Sequence, residues 1–139
     1  MISPSQLLKL PSTIMAANGV HSIEETLIHW QGALDWLIRA QEINDDDGCA
    51  KSYNLAKGHW EPSYPETTGY IIGTMLDAAR FTQQTVYIDR AERMGKWLRL
   101  RQLDTGAFPA LDRVTPIVFD TGQIMHGVID LAEHGNLDT

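Results

Sequence analysis

The chain has 139 residues, enough for one domain with a single modest core. Its apolar content of 43% is ordinary for a globular protein, and a net charge of −7 argues against a generic nucleic-acid or anionic-membrane surface. Cys49 is the only cysteine, which excludes an intrachain disulfide and lends no support to an oxidising compartment.

Residues 1–21 read as an N-terminal segment. Pro4, Pro11 and Lys9 interrupt its apolar character and make it a poor signal peptide. No run of about 18 uncharged apolar residues occurs, so no transmembrane helix is expected and the cytoplasm is the default location.

The first long helix is expected from Ser22 to Glu42. Ser22 and Glu25 have the spacing of a capping box, and Ile23, Leu27, Trp30, Leu34, Leu37 and Ile38 share one face. The run Asn44-Asp45-Asp46-Asp47-Gly48 ends it as an acidic turn, without the ligand spacing of a helix-loop-helix calcium site. A second helix should start near 63–67 and reach Phe81. Ser63 and Glu66 repeat the capping-box spacing, and Pro65 suits a first turn. A third is expected from Val86 to Gln102, with Thr85 as N-cap and Tyr87, Ala91, Met94 and Leu98 as its apolar row. The fourth begins near Asp120, with Gln123 three residues on, and fades at Glu133 to Gly135.

The helices alternate in character. The first and third are amphipathic and charged. The second and fourth carry few charges and several small residues, among them Gly69, Gly73, Gly122 and Gly127. A helix apolar on most sides is covered on most sides. The fold class is therefore all-α: antiparallel helical hairpins in two layers, with the odd helices outside and the even ones inside. Two long loops, 43–64 and 103–119, should emerge at the N-termini of the inner helices, where long loops are often functional.

The chain also repeats itself. Trp36-Leu37-Ile38-Arg39-Ala40-Gln41, then Gly48 and Thr68-Gly69, is echoed by Trp97-Leu98-Arg99-Leu100-Arg101-Gln102, then Gly106 and Thr121-Gly122. Repeats at this scale are stacked units that cannot bury their apolar faces alone. The single domain 1–139 thus divides into the segment 1–21, a first helical repeat at 22–82 and a second at 83–139. Aligning Gly48 with Gly106 puts Ala50 in the place of Phe108.

Gly95-Lys96-Trp97-Leu98, with Gln102 and Gly106-Ala107-Phe108, resembles the glutamine–tryptophan repeat of terpene cyclases. In that family the glutamine ending an outer helix ties to the start of another helix. The wider pattern is similar to the α/α-toroid superfamily, which includes six-hairpin glycosidases, polysaccharide lyases and sugar epimerases. Ser63-Tyr64-Pro65-Glu66-Thr67-Thr68-Gly69-Tyr70 looks more like its carbohydrate-processing members. The resemblance covers about residues 25–132 and implies a partial toroid. A closed ring needs more hairpins than two, so either the chain is a truncated piece or copies associate to cover the inner helices.

The resemblance implies, if the chain is an enzyme at all, a glycoside hydrolase, polysaccharide lyase or sugar epimerase, inactive as this chain alone. Glu66 and Asp120 are the candidate carboxyl pair, since glycoside hydrolysis uses two carboxyls of different pKa. Capping explains the same residues: a box for Glu66 and an N-cap for Asp120. Tyr70 or His126 would serve as a base in lysis or epimerisation. His59, Trp60, Tyr64 and Arg113 are the candidate substrate-binding groups, the aromatics by stacking and Arg113 by neutralising a uronic-acid carboxylate. The alternative for the aromatics is loop packing, and for the histidines a structural hydrogen bond. No second histidine stands at metal-binding spacing, so neither a metal nor a cofactor is expected. The acidic run beside Cys49 should raise its pKa. Expected partners are a glycan or oligosaccharide and a second copy meeting the inner helices, with neither nucleic acid nor membrane. Two alternatives remain: a non-catalytic helical-hairpin module for binding or self-association, and an isoprenoid-binding toroid like the terpene cyclases.

Overall fold

The computed structural model describes residues 22–135, and the N-terminal segment 1–21 lies outside them. The described residues are mostly helical: α1 (Ile23–Glu42), α2 (Pro65–Thr82), α3 (Val86–Arg99) and α4 (Val118–Glu133). The first loop adds a small antiparallel pair, β1 (Tyr53–Asn54) and β2 (His59–Trp60), so the all-α expectation is corrected to helical with a small hairpin.

The box at the start of α1 forms as expected. The Glu25 N–H donates to the Ser22 hydroxyl at 3.1 Å, and the Ser22 N–H donates to the Glu25 carboxylate at 2.8 Å. The box expected at Ser63 and Glu66 does not form. Tyr64 is the N-cap of α2 and Pro65 its first residue, while the Ser63 hydroxyl is drawn away to the Asp46 carboxylate at 2.7 Å. Nor is Asp120 an N-cap. Ile117 holds that place, and Asp120 is buried within the first turn of α4. Thr85 precedes α3 without a side-chain capping bond.

α2 is the axis of the packing. α3 returns antiparallel to it through Gln83, which sits in the left-handed region at φ 60°. α4 lies alongside α2 in the same direction, because Tyr64 meets Asp120 at one end and Gly73 meets Asp130 at the other. Glycine makes this approach possible. A Cβ at Gly69 would stand 2.7 Å from the Ile124 Cα, and one at Gly127 would overlap the Gly69 carbonyl oxygen. Glycine costs a helix about 1 kcal/mol, so the close contact it allows has to offset that cost. Ile72, Met75, Leu76, Met94, Leu98, Ile124 and Leu131 are fully buried among these three helices. Each contributes roughly 1.5–3 kcal/mol by leaving water. Trp30, Leu37 and Ile38 of α1 pack against the same core, and Trp30 meets Phe81 edge-on at 5.1 Å.

The two repeats share their junction hydrogen bond for hydrogen bond. In the first, Ala50 bridges Ser63, the Tyr64 N–H donates to the Cys49 carbonyl, and the Cys49 N–H donates to the Thr68 hydroxyl at 2.9 Å. That hydroxyl donates to the Tyr64 carbonyl at 2.7 Å. In the second, Pro109 bridges Pro116, the Ile117 N–H donates to the Phe108 carbonyl, and the Phe108 N–H donates to the Thr121 hydroxyl at 3.0 Å. Thr121 in turn donates to the Ile117 carbonyl at 2.8 Å. The threonine of each Thr-Gly pair therefore locks its loop onto the helix that follows it. The match also corrects the alignment: Cys49, not Ala50, stands in the place of Phe108.

The glutamines do not act alike. Gln41 is buried and spans to α3, donating to the Asp47 and Arg90 carbonyls and accepting from the Arg90 guanidinium at 3.1 Å. Gln102 only reaches the Gly106 carbonyl of its own loop, at 2.8 Å, rather than tying to another helix. The two tryptophans diverge as well. Trp97 is buried against Gly48 of the preceding loop. Trp36 is half exposed, and its ring rests on Trp60 at 4.5 Å and Tyr53 at 5.9 Å.

Candidate functional site

Both long loops emerge at the N-terminal ends of α2 and α4, and a cleft of about 410 Å³ opens between them. Asp46, Pro62 and Ser63 line it from the first loop. Leu103, Pro109, Ala110, Leu111 and Arg113 line it from the second, with Trp97, Leu100, Arg101 and Gln102 at the end of α3.

The floor is built by ion pairing across the repeats. α1 ends in a turn that needs positive φ at Asp45 (50°) and Asp47 (68°). Arg93 pairs with Asp47 at 2.9 Å and Arg101 with Asp46 at 3.4 Å. Asp46 also accepts from the Gly48 N–H at 3.0 Å and from the Ser63 hydroxyl. The acidic run is thus a strut clamped by α3 as well as a helix stop. The Arg101 guanidinium carbon sits over the Trp97 ring, 3.6 Å from its centre, within cation–π range. Burial and the nearby Arg113 push the Arg101 pKa down, and Asp46 opposes them. Arg113 sits exposed on the second loop with φ 65° and has no ion-pair partner among the described residues.

Beside the cleft, Tyr64 and Asp120 tie the starts of α2 and α4 together. The Tyr64 hydroxyl donates to the Asp120 carboxylate in a short bond, with both residues buried, at 8% and 5% exposure. The Tyr64 pKa is pushed up to about 12, first by that bond, then by burial and by the negative charges of Asp120, Glu66 and Asp112. Such a tyrosine keeps its proton and does not act as a base. Lys51 sits over the Tyr64 ring at 5.0 Å.

Only part of the expected constellation comes together. Asp120, Tyr64 and Glu66 gather in one place, with Tyr64 fastening Asp120 rather than presenting itself to a ligand. Arg113 lines the cleft; Glu66, Asp120, Tyr70 and His126 do not. Tyr70 is half exposed on α2, and His126 is exposed on the outer flank of α4. His59 stands in the β hairpin, 3.6 Å from Glu61. Trp60 packs against Trp36 and Tyr53, the loop-packing alternative. Cys49 is fully buried and its pKa is raised to about 12, by burial first and Asp46 second. Arg101 and Asp46 were not among the expected site residues. A signal for Arg101 existed: it occupies the place that buried Ala40 holds in the first repeat, so the repeats differ there in kind.

Among the described residues, no group of three or more His, Cys, Asp or Glu is placed to hold a metal ion, and no helix is long and apolar enough to cross a membrane. No family model, no curated protein and no solved structure matches the chain.

Proposed function

We propose that this chain is one arc of an α/α-toroid carbohydrate-processing protein and that its cleft binds an acidic glycan. One observation carries the proposal: Arg101 and Arg113 line the same cleft, Arg101 paired with Asp46 and Arg113 without an ion-pair partner among the described residues. A ligand carboxylate between the two guanidinium groups would accept paired N–H donors and give Arg113 the counter-charge it lacks. Leu100, Pro109 and Leu111 offer an apolar wall for a sugar ring, and Gln102 a polar edge. A uronic-acid oligosaccharide has this combination of charge, apolar ring face and hydroxyls.

The role is recognition. Hydrolysis, lysis and epimerisation need an acid–base group open to the ligand. Tyr64 holds its proton, and neither Glu66 nor Asp120 lines the cleft. Any turnover would draw on residues from further hairpins.

Calorimetric titration with a uronic-acid oligosaccharide, and with its carboxyl-reduced neutral counterpart, tests this. Binding of the acidic form alone is expected, weakening about tenfold or more in Arg113→Ala, the loss of a charge-assisted hydrogen bond. Equal binding of both sugars, or none of either, refutes the proposal.

A further inference from the structure

Among the described residues, the repeat leaves matching halves of its own interface exposed on α4 and between α1 and α2. Within the chain, Ile72 and Leu76 of α2 are fully buried, in the same cluster as Tyr87 and Ala91 of α3 and Leu131 of α4. The junction hydrogen bonds set the register, in which Thr68 matches Thr121. Met125 and Ile129 of α4 then match Ile72 and Leu76, yet they are 45% and 47% exposed. Gly122 matches Gly69 and has open space around it. The end repeat of a stack is ordinarily polar on its outer face. Here that face also exposes Val118 and Phe119, so it has the character of a contact surface.

The receiving half is on the opposite flank. Thr26, Leu27 and Trp30 of α1 and Thr74, Ala78 and Phe81 of α2 line an apolar groove of about 350 Å³. In the repeat register this groove lies between the helices that match α3 and α4, which is where Ile72 and Leu76 sit inside the chain. One chain thus carries both a plug, on α4, and its socket, between α1 and α2.

We propose that a second copy of this chain docks head to tail on α4, its α1–α2 groove receiving Met125 and Ile129. Gly73 lies against Asp130 inside the chain, so His126 falls opposite Asp77 of the partner subunit, a carboxylate of the groove that Arg80 pairs at 2.8 Å. The copy of the interface is looser than the original. Thr74 stands where Gly127 allows the closest approach, so the two chains sit further apart than α2 and α4, and the longer Met125 in place of Ile72 reaches across. Such an interface is heterologous: the two partners use different surfaces. The inference does not depend on the glycan proposal, and sugar binding by an isolated chain would leave it standing.

Light scattering across a concentration series, combined with directed cross-linking, is the test. The full chain is expected to associate reversibly, and Ile129→Glu, a change at an exposed position, to weaken association about tenfold or more with an unchanged helical circular-dichroism spectrum. Under mild oxidation, Gly122→Cys chains mixed with Thr74→Cys chains should form a disulfide-linked pair that neither variant forms alone; native Cys49 is fully buried and does not compete. A chain that stays monomeric up to millimolar concentration overturns the proposal. So does a Gly122→Cys variant that links to itself as readily, since that marks a two-fold interface or a different occupant of the flank.

Discussion

Replacing Tyr64 with Phe removes one oxygen atom and isolates a buried charge. Asp120 is 5% exposed, and the Tyr64 hydroxyl is the hydrogen-bond donor to its carboxylate. Its place in the first turn of α4 puts it near the positive end of the helix dipole, which favours the anion without replacing the lost donor. Hydrogen bonds to charged groups are worth about 1.5–3 kcal/mol, and a buried charged acceptor left bare costs at least that. At about 2.1 cal/mol/K of unfolding entropy per residue, a chain of this length loses roughly 5–10 °C of melting temperature for that change. The bond joins the starts of α2 and α4, so the loss should appear in global unfolding rather than in local fraying. Urea unfolding of Tyr64→Phe, Asp120→Ala and the double variant measures the coupling. A coupling energy above about 1.5 kcal/mol is expected for groups in direct contact. Single-variant losses below about 0.5 kcal/mol that simply add would refute the reasoning, because they would mean that water already serves both groups.

Alkaline pH should unfold the protein by the same logic. Tyr64 and Cys49 both have folded-state pKa values near 12, above their ordinary 10.0 and 9.0. The folded state holds these protons more tightly, so their stabilisation is complete below pH 9 and is lost as pH climbs from there through 12. Melting temperature against pH should fall across that window and flatten in Tyr64→Phe combined with Cys49→Ala; an unchanged slope in that variant contradicts it. The two glycines of α4 should respond in opposite directions. Gly127→Ala drives a methyl into the Gly69 carbonyl and should cost about 1–3 kcal/mol, whereas Gly122→Ala meets nothing and should stabilise the dilute chain by up to about 1 kcal/mol, both read from chemical unfolding. Effects of equal sign would mean that α2 and α4 do not meet at that point.

The features readable in the sequence were those that depend on local spacing or on repetition. The Ser22–Glu25 box needs only neighbours three residues apart, and it forms. The apolar row of α3 needs only helical periodicity, and Tyr87, Ala91, Met94 and Leu98 are all buried. Ser63–Glu66 had the same spacing as Ser22–Glu25 and failed, because Asp46, distant in sequence, offers the Ser63 hydroxyl a charged acceptor. Asp120 looked like a cap because Asp-Thr-Gly-Gln has the composition of one. The Pro109–Pro116 bridge instead delivers the chain to the helix in extended form at Ile117, three residues earlier. The candidate site suffered most. Its expected carboxyl pair stands at the helix starts, whereas the cleft is shaped by Arg101, whose position depends on Trp97 beneath it and Asp46 beside it. The first contact has a local spacing, four residues at a helix end; the second joins residues far apart in the chain and has no sequence signature.

The packing stands or falls on the glycine-to-glycine crossing of α2 and α4. In an NMR spectrum of the full chain, parallel α2 and α4 at this spacing should give a strong cross-relaxation peak between the α-protons of Gly69 and Gly127, with a second between Gly69 and Ile124. Well-resolved resonances for all three residues without either peak would contradict the paired-repeat architecture, and with it the shared junctions, the cleft and the bare flank of α4.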